Sequence, residues 1–396
     1  MSWMPRGLRR DRRAGSGADQ VTTEAGAGTA QVEVADPAAR RTGLPRGVVV
    51  LLVLTLALVV LLGIRQFHSF IGPVFLGLNL VLAVSPLMGW LIRKGVPPLL
   101  SAVVAALAVY TFLVAFIGAV VWAVAKLIAE LPKYRDAFED LYDRGTALLE
   151  RFGVQEASVI EQLRSALNPG TVISTLGDLL SNVTGILGLL TSTVIVTLFL
   201  LFDALTVGQR MAMVRAAHPH FAASLGAFAK GVRRYWVVST IFGLIVAVLD
   251  VIALVWLGVP LALVWGVFSF VTNYIPNIGF VIGLVPPALM ALLANGPTSA
   301  LLVIVAYSVL NFVVQSLIQP KFTGEAVGVT ATVSFLSLLV WAWVLGPLGA
   351  LLALPATLLV KTILVDADPG ARWLNAFLSD KPDRASPAAA EAAARP

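Results

Sequence analysis

The chain has 396 residues, of which 58% are hydrophobic and 13% charged, with a formal net charge of +6 and no cysteine. A soluble domain carries about 25% charged residues, so half that density over this length excludes a water-soluble enzyme; the hydrophobicity likewise excludes disorder for most of the chain. The absence of cysteine removes disulfides, iron–sulfur clusters and thiolate-bound zinc from consideration, and no cofactor or metal is expected.

Residues 1–46 are rich in Gly, Ala, Thr and Arg and lack apolar periodicity, which predicts a disordered cytoplasmic tail. Runs without formal charge then follow one another over 48–64, 66–92 and 95–125. A membrane-spanning helix needs about 20 apolar residues, so 47–125 reads as transmembrane helices 1–3. Residues 126–182 read as a helical segment outside the membrane. The charge-free run 179–202 gives the fourth span, and the long stretch 235–319 carries one formal charge, Asp250. That stretch accommodates three spans, punctuated at Gly258-Val259-Pro260 and Asn295-Gly296-Pro297. The run 326–360 adds the last. Helices 4–8 thus occupy 183–362, with an amphipathic cytoplasmic loop at 208–234 and a cytoplasmic tail over 363–396. In lipid the backbone must satisfy its own hydrogen bonds, so the fold class is an all-α integral membrane protein with about eight transmembrane helices.

Lys and Arg set the orientation. Eight arginines precede residue 48, Arg93 and Lys94 mark the second loop, and 203–234 has five basic residues against one acidic, all on the cytoplasmic side. Residues 126–178 carry six basic and nine acidic residues and fall outside. Both termini are then cytoplasmic, in a bacterial inner membrane. Basic residues confined to loops and tails point to membrane lipids and not to nucleic acid.

In the outer segment, Leu127, Leu131, Tyr134, Phe138, Leu141, Leu148 and Phe152 recur at spacings of four and three, apart from the step across Gly145. This near-heptad seam is either a contact between protomers or packing within one subunit. In the inner loop, Met211, Val214, Phe221, Leu225 and Phe228 alternate with Arg215, Lys230 and Arg233, the pattern of interfacial helices.

There is no G-x-x-x-x-G-K-[ST], H-E-x-x-H or G-x-S-x-G motif, so no catalytic site is expected. The informative segments lie in the apolar regions. Asn273, Tyr274, Pro276, Asn277, Gly279 and Gly283 combine a helix breaker, packing glycines and polar side chains, the composition of a discontinuous helix at a substrate site. Asn311, Gln315 and Gln319 are spaced by four and share a helix face, able to bind solute or to hold helices together. Trp341 to Pro355 again breaks a long helix with glycines and prolines. Asp250 is a functional candidate because an intramembrane carboxylate is costly.

N-Y-I-P-N-I-G, followed by N-x-x-x-Q with I-Q-P-K-F-T-G and then S-L-L-V-W-A-W-V-L-G-P-L-G-A-L-L-A-L-P, resembles the AI-2E family of transporters, from about residue 71 to 361. The resemblance implies about eight spans, a homo-oligomer with a pentamer among the candidates, and movement of small molecules or ions. Members are associated with export of autoinducer-2 and with Na⁺(Li⁺)/H⁺ antiport. Many relatives place Glu before the proline where this chain has Gln319, so cation coupling at that position is in doubt and Asp250 is the alternative coupling residue. The leading expectation is a secondary transporter exporting a small polar solute of autoinducer-2 type; a monovalent-cation/proton antiporter and a scaffold or channel without coupled transport are the rivals.

Overall fold

The computed structural model describes residues 45–151, 169–181, 183–275, 278–319 and 329–379. The chain falls into two units, Met1–Leu54 and Thr55–Pro396. The first contributes the opening turns of helix α1 (Arg46–Gln66); the packing described below belongs to the second. The described residues contain helices, turns and no strand.

Long apolar helices follow α1: α2 (His68–Arg93), α3 (Pro98–Glu130), α6 (Val183–Ala217) and α7 (Pro219–Trp256). Two shorter helices, α4 (Arg135–Arg151) and α5 (Pro169–Ser181), stand between α3 and α6. Pro97 and Pro98 open α3 and Pro219 opens α7, first-turn positions where the missing N–H costs nothing. The segment 208–234, expected as a separate interfacial pair, continues the ends of α6 and α7, which meet at His218.

Beyond α7 the chain turns at Gly258 (φ +65°) into α8 (Ala262–Thr272). At 11 residues α8 is about 16 Å long, too short for a hydrocarbon core of about 30 Å. The next helix, α9 (Gly279–Asn295), does not continue across but folds back along α8. A Cβ on Gly279 would collide with the Thr272 carbonyl, and one on Gly283 would lie 2.8 Å from Thr272 Oγ1 and 3.8 Å from Ser269 Cα. These contacts pair 272 with 279 and 269 with 283, an antiparallel register in which glycine allows backbone-to-backbone contact. The far end confirms the return: Asn295 Nδ2 donates to the carbonyls of Leu257 (3.4 Å) and Gly258 (3.1 Å). The middle of the three expected spans is therefore a hairpin of two short antiparallel helices and not one continuous helix.

Gly296 (φ +87°) turns the chain into α10 (Pro297–Asn311), extended by a π-helical stretch, Phe312–Ile318. The last apolar run, expected as one span, is two helices, α11 (Ala331–Leu345) and α12 (Pro347–Lys361), joined at Gly346 (φ +67°). They run antiparallel: Ser337 Oγ donates to the Ala353 carbonyl (2.8 Å) and Trp341 Nε1 to Thr357 Oγ1 (3.0 Å). Arg65 lies 4.5 Å from the centre of the Trp343 ring, tying the end of α1 to this pair. Seven helices among the described residues are long and apolar enough to cross a membrane: α1, α2, α3, α6, α7, α10 and α12. With α11 alongside α12, the bundle matches the expected all-α membrane fold of about eight spans.

The outer seam does not form one helix. Pro132 converts Leu131–Tyr134 into a 3₁₀ turn between α3 and α4. Leu131 and Phe138 are buried within the chain itself, and α4 packs on α9. Phe152 lies outside the described residues. Beyond α12 the chain continues as a π-turn (Thr362–Asp366), where Lys361 Nζ pairs with Asp366 (2.8 Å) and Ser224 Oγ of α7 donates to the Asp366 carbonyl (3.0 Å).

The hairpin makes a topological prediction. Because the chain lacks cysteine, Leu257→Cys and Thr298→Cys can be introduced singly and treated with a membrane-impermeant maleimide. Both are expected to label from the same side of the membrane; labelling from opposite sides would show that α8 and α9 together cross it.

Candidate functional site: a half-buried amide seam at the hairpin tip

The tip of the α8–α9 hairpin brings irregular backbone deep into an apolar interior, where every exposed carbonyl needs a donor. Tyr235 Oη of α7 donates to the Tyr274 carbonyl at 2.7 Å. The Tyr274 ring is 1% exposed and packs among Phe116, Trp236 and Phe270, while its hydroxyl meets Thr240 Oγ1 at 2.8 Å. Trp236 Nε1 in turn donates to Asn79 Oδ1 of α2 (3.1 Å), and Asn79 Nδ2 donates to the Phe75 carbonyl (2.7 Å). Tyr274 thus anchors the tip: its contacts are with this aromatic cluster and not with the amides. A crevice of about 290 Å³ beside the cluster is lined by Leu80, Val84, Val109, Phe112, Trp236 and Thr240.

Asn273 faces α7 and α10. Its Nδ2 donates to the Ser239 carbonyl at 3.4 Å, an approach that Gly243 permits, since a Cβ there would lie 2.8 Å from the amide nitrogen. Gln315 Nε2 donates to both Asn273 Oδ1 (3.0 Å) and Asn311 Oδ1 (2.7 Å). Asn311 Nδ2 completes the chain on the Tyr307 carbonyl (2.9 Å). Gln315 lies within the π-helical stretch, a local widening of the helix that occurs frequently at functional sites. The structure therefore joins the two polar segments of the sequence through one residue, Gln315. Gln319 makes no side-chain hydrogen bond among the described residues, and Pro276 and Asn277 lie outside them. Gly279 and Gly283 act through packing, as the close-contact positions between α9 and α8.

Asp250 lies on α7, nearer the Gly258 turn than Ser239 is. It is 0% exposed, and its Oδ2 accepts a bond from Ser269 Oγ at 2.5 Å. Among the described residues its Oδ1 has no hydrogen-bond partner, and neither does the hydroxyl of Tyr307, which is 1% exposed and within electrostatic reach of the carboxyl. Among the described residues no Lys, Arg or His pairs with Asp250. An ionised carboxylate left alone in such surroundings costs several kcal/mol. Ser269 and Asn273 are one turn apart on α8, and Tyr307 and Asn311 one turn apart on α10, so the carboxyl cluster and the amide cluster occupy the same three-helix seam.

Ser239, Ser269 and Tyr307 are absent from the residues singled out in the sequence. For Tyr307 a signal is present, because it extends the Asn311, Gln315, Gln319 stripe by one further step of four. Ser239 participates through its carbonyl, which no side-chain pattern encodes.

Similarity to known proteins supplies the context for this geometry. The model of a family described as AI-2E family transporter matches residues 40–367. The AI-2 transport protein TqsA of Escherichia coli (strain K12) is 29% identical over 334 residues, covering 84% of this chain and 96% of the relative. The putative transport protein YhhT of the same organism is 29% identical over 315 residues, 80% of this chain and 90% of the relative. A putative transport protein of Haemophilus influenzae is 28% identical over 337 residues, 84% and 97% of the two chains.

The amide seam predicts an energetic coupling. In a double-mutant cycle of Asn273→Ala with Gln315→Ala, measured by equilibrium unfolding in mixed micelles, the interaction energy is expected near about 0.6 kcal/mol, the usual size of an interhelical bond in a membrane. Strict additivity would mean that the two side chains do not hold each other.

Proposed function

This chain belongs to the AI-2E transporter family, and on that premise we propose that it carries a small polar, uncharged solute across the membrane through the seam where Asn273, Gln315 and Asn311 meet. The observation that carries this reading is the double donation of Gln315 to Asn273 and Asn311 at the buried hairpin tip. Amides satisfied by one another in the interior can exchange those bonds for bonds to a solute, with little change in the number of unpaired groups. Neutral amides suit a polyhydroxylated or carbonyl-bearing molecule and offer little to a bare proton. The name of TqsA, an AI-2 transport protein, makes an autoinducer-2-like signal the first solute to try, with export as the direction.

Pro276 and Asn277, between the two halves of the hairpin in sequence, belong to the same proposed path, with Tyr274 positioning it. Gln319 belongs to its end. The proposed orientation is that of the loop charges, with both termini cytoplasmic in a bacterial inner membrane and the acidic segment 126–178 outside. The proposed assembly is a homo-oligomer, for which a pentamer is one candidate. Burial of Leu131 and Phe138 within the chain argues against the outer seam as the surface that holds it together. A second reading, antiport of a monovalent cation against protons, is favoured by one observation: Asp250 is buried without a basic partner among the described residues. Under either reading Asp250 is the candidate coupling group.

Purified protein in liposomes loaded with candidate solutes separates the readings. Loss of one solute hydrogen bond of about 1 kcal/mol corresponds to a several-fold drop in flux for Gln315→Ala and for Asn277→Ala, with membrane abundance unchanged. Full solute flux in the Asn277→Ala, Gln315→Ala double mutant would remove the proposed path. Sodium- or lithium-driven proton movement without solute flux would establish the second reading.

A further inference from the structure

We infer that Asp250, Ser269 and Tyr307 form a proton-binding site that is separate from the amide seam and linked to it through Tyr307. The inference deepens the reading of Asp250 as coupling group and rests on it. Three helices supply one oxygen-bearing side chain each: Asp250 from α7, Ser269 from α8 and Tyr307 from α10. All three side chains are buried, at 0%, 6% and 1% exposure. Ser269 Oγ donates to Oδ2, so half of the carboxyl is engaged. Oδ1 and the Tyr307 hydroxyl are the remaining polar atoms, both buried and both without a partner. A carboxyl oxygen free to take up a proton and a phenol free to donate to its charged form are the minimum for a carboxyl that alternates between two protonation states.

The surroundings restrict what can neutralise the carboxylate. Asp250 forms no ion pair among the described residues. The helix faces packed on this part of α7 are those of α8, which has no titratable residue, and α10, whose titratable residue is Tyr307. The charges of the other elements packed on α7 are Arg93 at the end of α2, Asp203 and Arg210, which pair with each other on α6, Arg215 near the end of α6, and Lys361 and Asp366, which pair with each other at and beyond the end of α12. His68 is at the start of α2. Compensation must therefore come from a cation that enters and leaves. A metal ion of the sodium kind prefers a shell of several oxygens. Here the donor set is one carboxyl and two hydroxyls, and the 2.5 Å contact between Ser269 Oγ and Oδ2 leaves no room for an ion between them. A proton needs only Oδ1.

The link to the seam is covalent on one side and hydrogen-bonded on the other. The Tyr307 hydroxyl lies within electrostatic reach of the Asp250 carboxyl, and the Tyr307 backbone carbonyl accepts from Asn311 Nδ2, whose Oδ1 accepts from Gln315. A change in the Tyr307 position on protonation of Asp250 is thereby transmitted to the residue that bridges the amides. In the proposed cycle the proton moves onto Oδ1, the charge on the carboxyl disappears, and the same proton is later released from that oxygen; no other bond is made or broken.

The test reads the carboxyl directly, without any transported solute. Purified protein in lipid films is titrated between about pH 4 and pH 10 while the carboxylic C=O stretch is followed by infrared difference spectroscopy. A titrating band is expected that is lost in Asp250→Asn. In Tyr307→Phe, which keeps the ring, and in Ser269→Ala, its midpoint should be displaced by at least about half a pH unit, because the first removes the phenol available to donate to the charged form and the second removes the bond that Ser269 Oγ makes to it. Absence of a titrating band that depends on Asp250, or a midpoint unmoved by Tyr307→Phe, overturns the inference. Disappearance of the band on adding sodium or lithium at constant pH would also overturn it, in favour of a metal-ion site. Failure of solute flux with an intact titration would instead count against the proposed path alone.

Discussion

Irregular backbone cannot stand free in a bilayer, and the tip of the α8–α9 hairpin is irregular backbone placed far from either helix end. Its reach can be sized on α7: Asn273 meets Gly243, 13 residues before that helix ends at Trp256, which at the helical rise is about 20 Å of a hydrocarbon core of about 30 Å. At that depth each unpaired carbonyl or amide costs several kcal/mol. The surrounding helices answer with specific donors and acceptors: the Tyr235 hydroxyl on the Tyr274 carbonyl, the Ser239 carbonyl for Asn273, and Gln315 for its Oδ1. Much of the rest follows from that requirement. Gly243 is needed where Asn273 approaches α7, and Gly279 and Gly283 where α9 returns against α8. Asn295 closes the open end on Leu257 and Gly258.

The same constraint explains why polarity concentrates on one seam. Residues that satisfy the tip must come from the helices that flank it, so α7, α8 and α10 carry Ser239, Asn273, Asn311 and Gln315 within otherwise apolar stretches. On the opposite side of the tip, Tyr274 is held by aromatic packing with Phe116, Trp236 and Phe270, which fixes the ring through area and shape. One side is thus rigid and apolar, and the other is built from amides that can exchange partners. Asp250 and Ser269 extend the polar side toward the open end of the hairpin, which Asn295 ties to Leu257 and Gly258.

Charge-free runs locate the long helices because lipid exposure demands apolarity over a fixed length. What hydropathy cannot distinguish is a helix that crosses from one that returns. The middle of the stretch 235–319 looks like a span because α8 and α9 together have the length of one; its return is set by the contacts of Gly279 and Gly283, which are tertiary. Gly346-Pro347 has the same Gly-Pro form as Gly296-Pro297, but only the latter reads as a turn between spans, so one expected span is in fact the α11–α12 pair. Asn273, Asn311 and Gln315 are legible because amides are rare in such helices, and Asp250 because a charge is rarer still. Ser269 is not, since serine hydroxyls in apolar helices commonly bond their own preceding turn, and Tyr307 is marked only by extending the Asn311, Gln315, Gln319 stripe by one step of four.

The central claim is that solute passes along the amide face of the α7–α8–α10 seam. Single cysteines at Ser239, Asn273, Asn311 and Gln315 test it, with Leu244, Val248 and Ile252, exposed on the surface of the bundle, as controls. In liposomes a small water-soluble methanethiosulfonate should modify the seam positions as the transporter cycles, and a transported solute should slow that modification, while the controls stay unreactive. Modification confined to the controls, or seam positions inert under all conditions, would contradict the account.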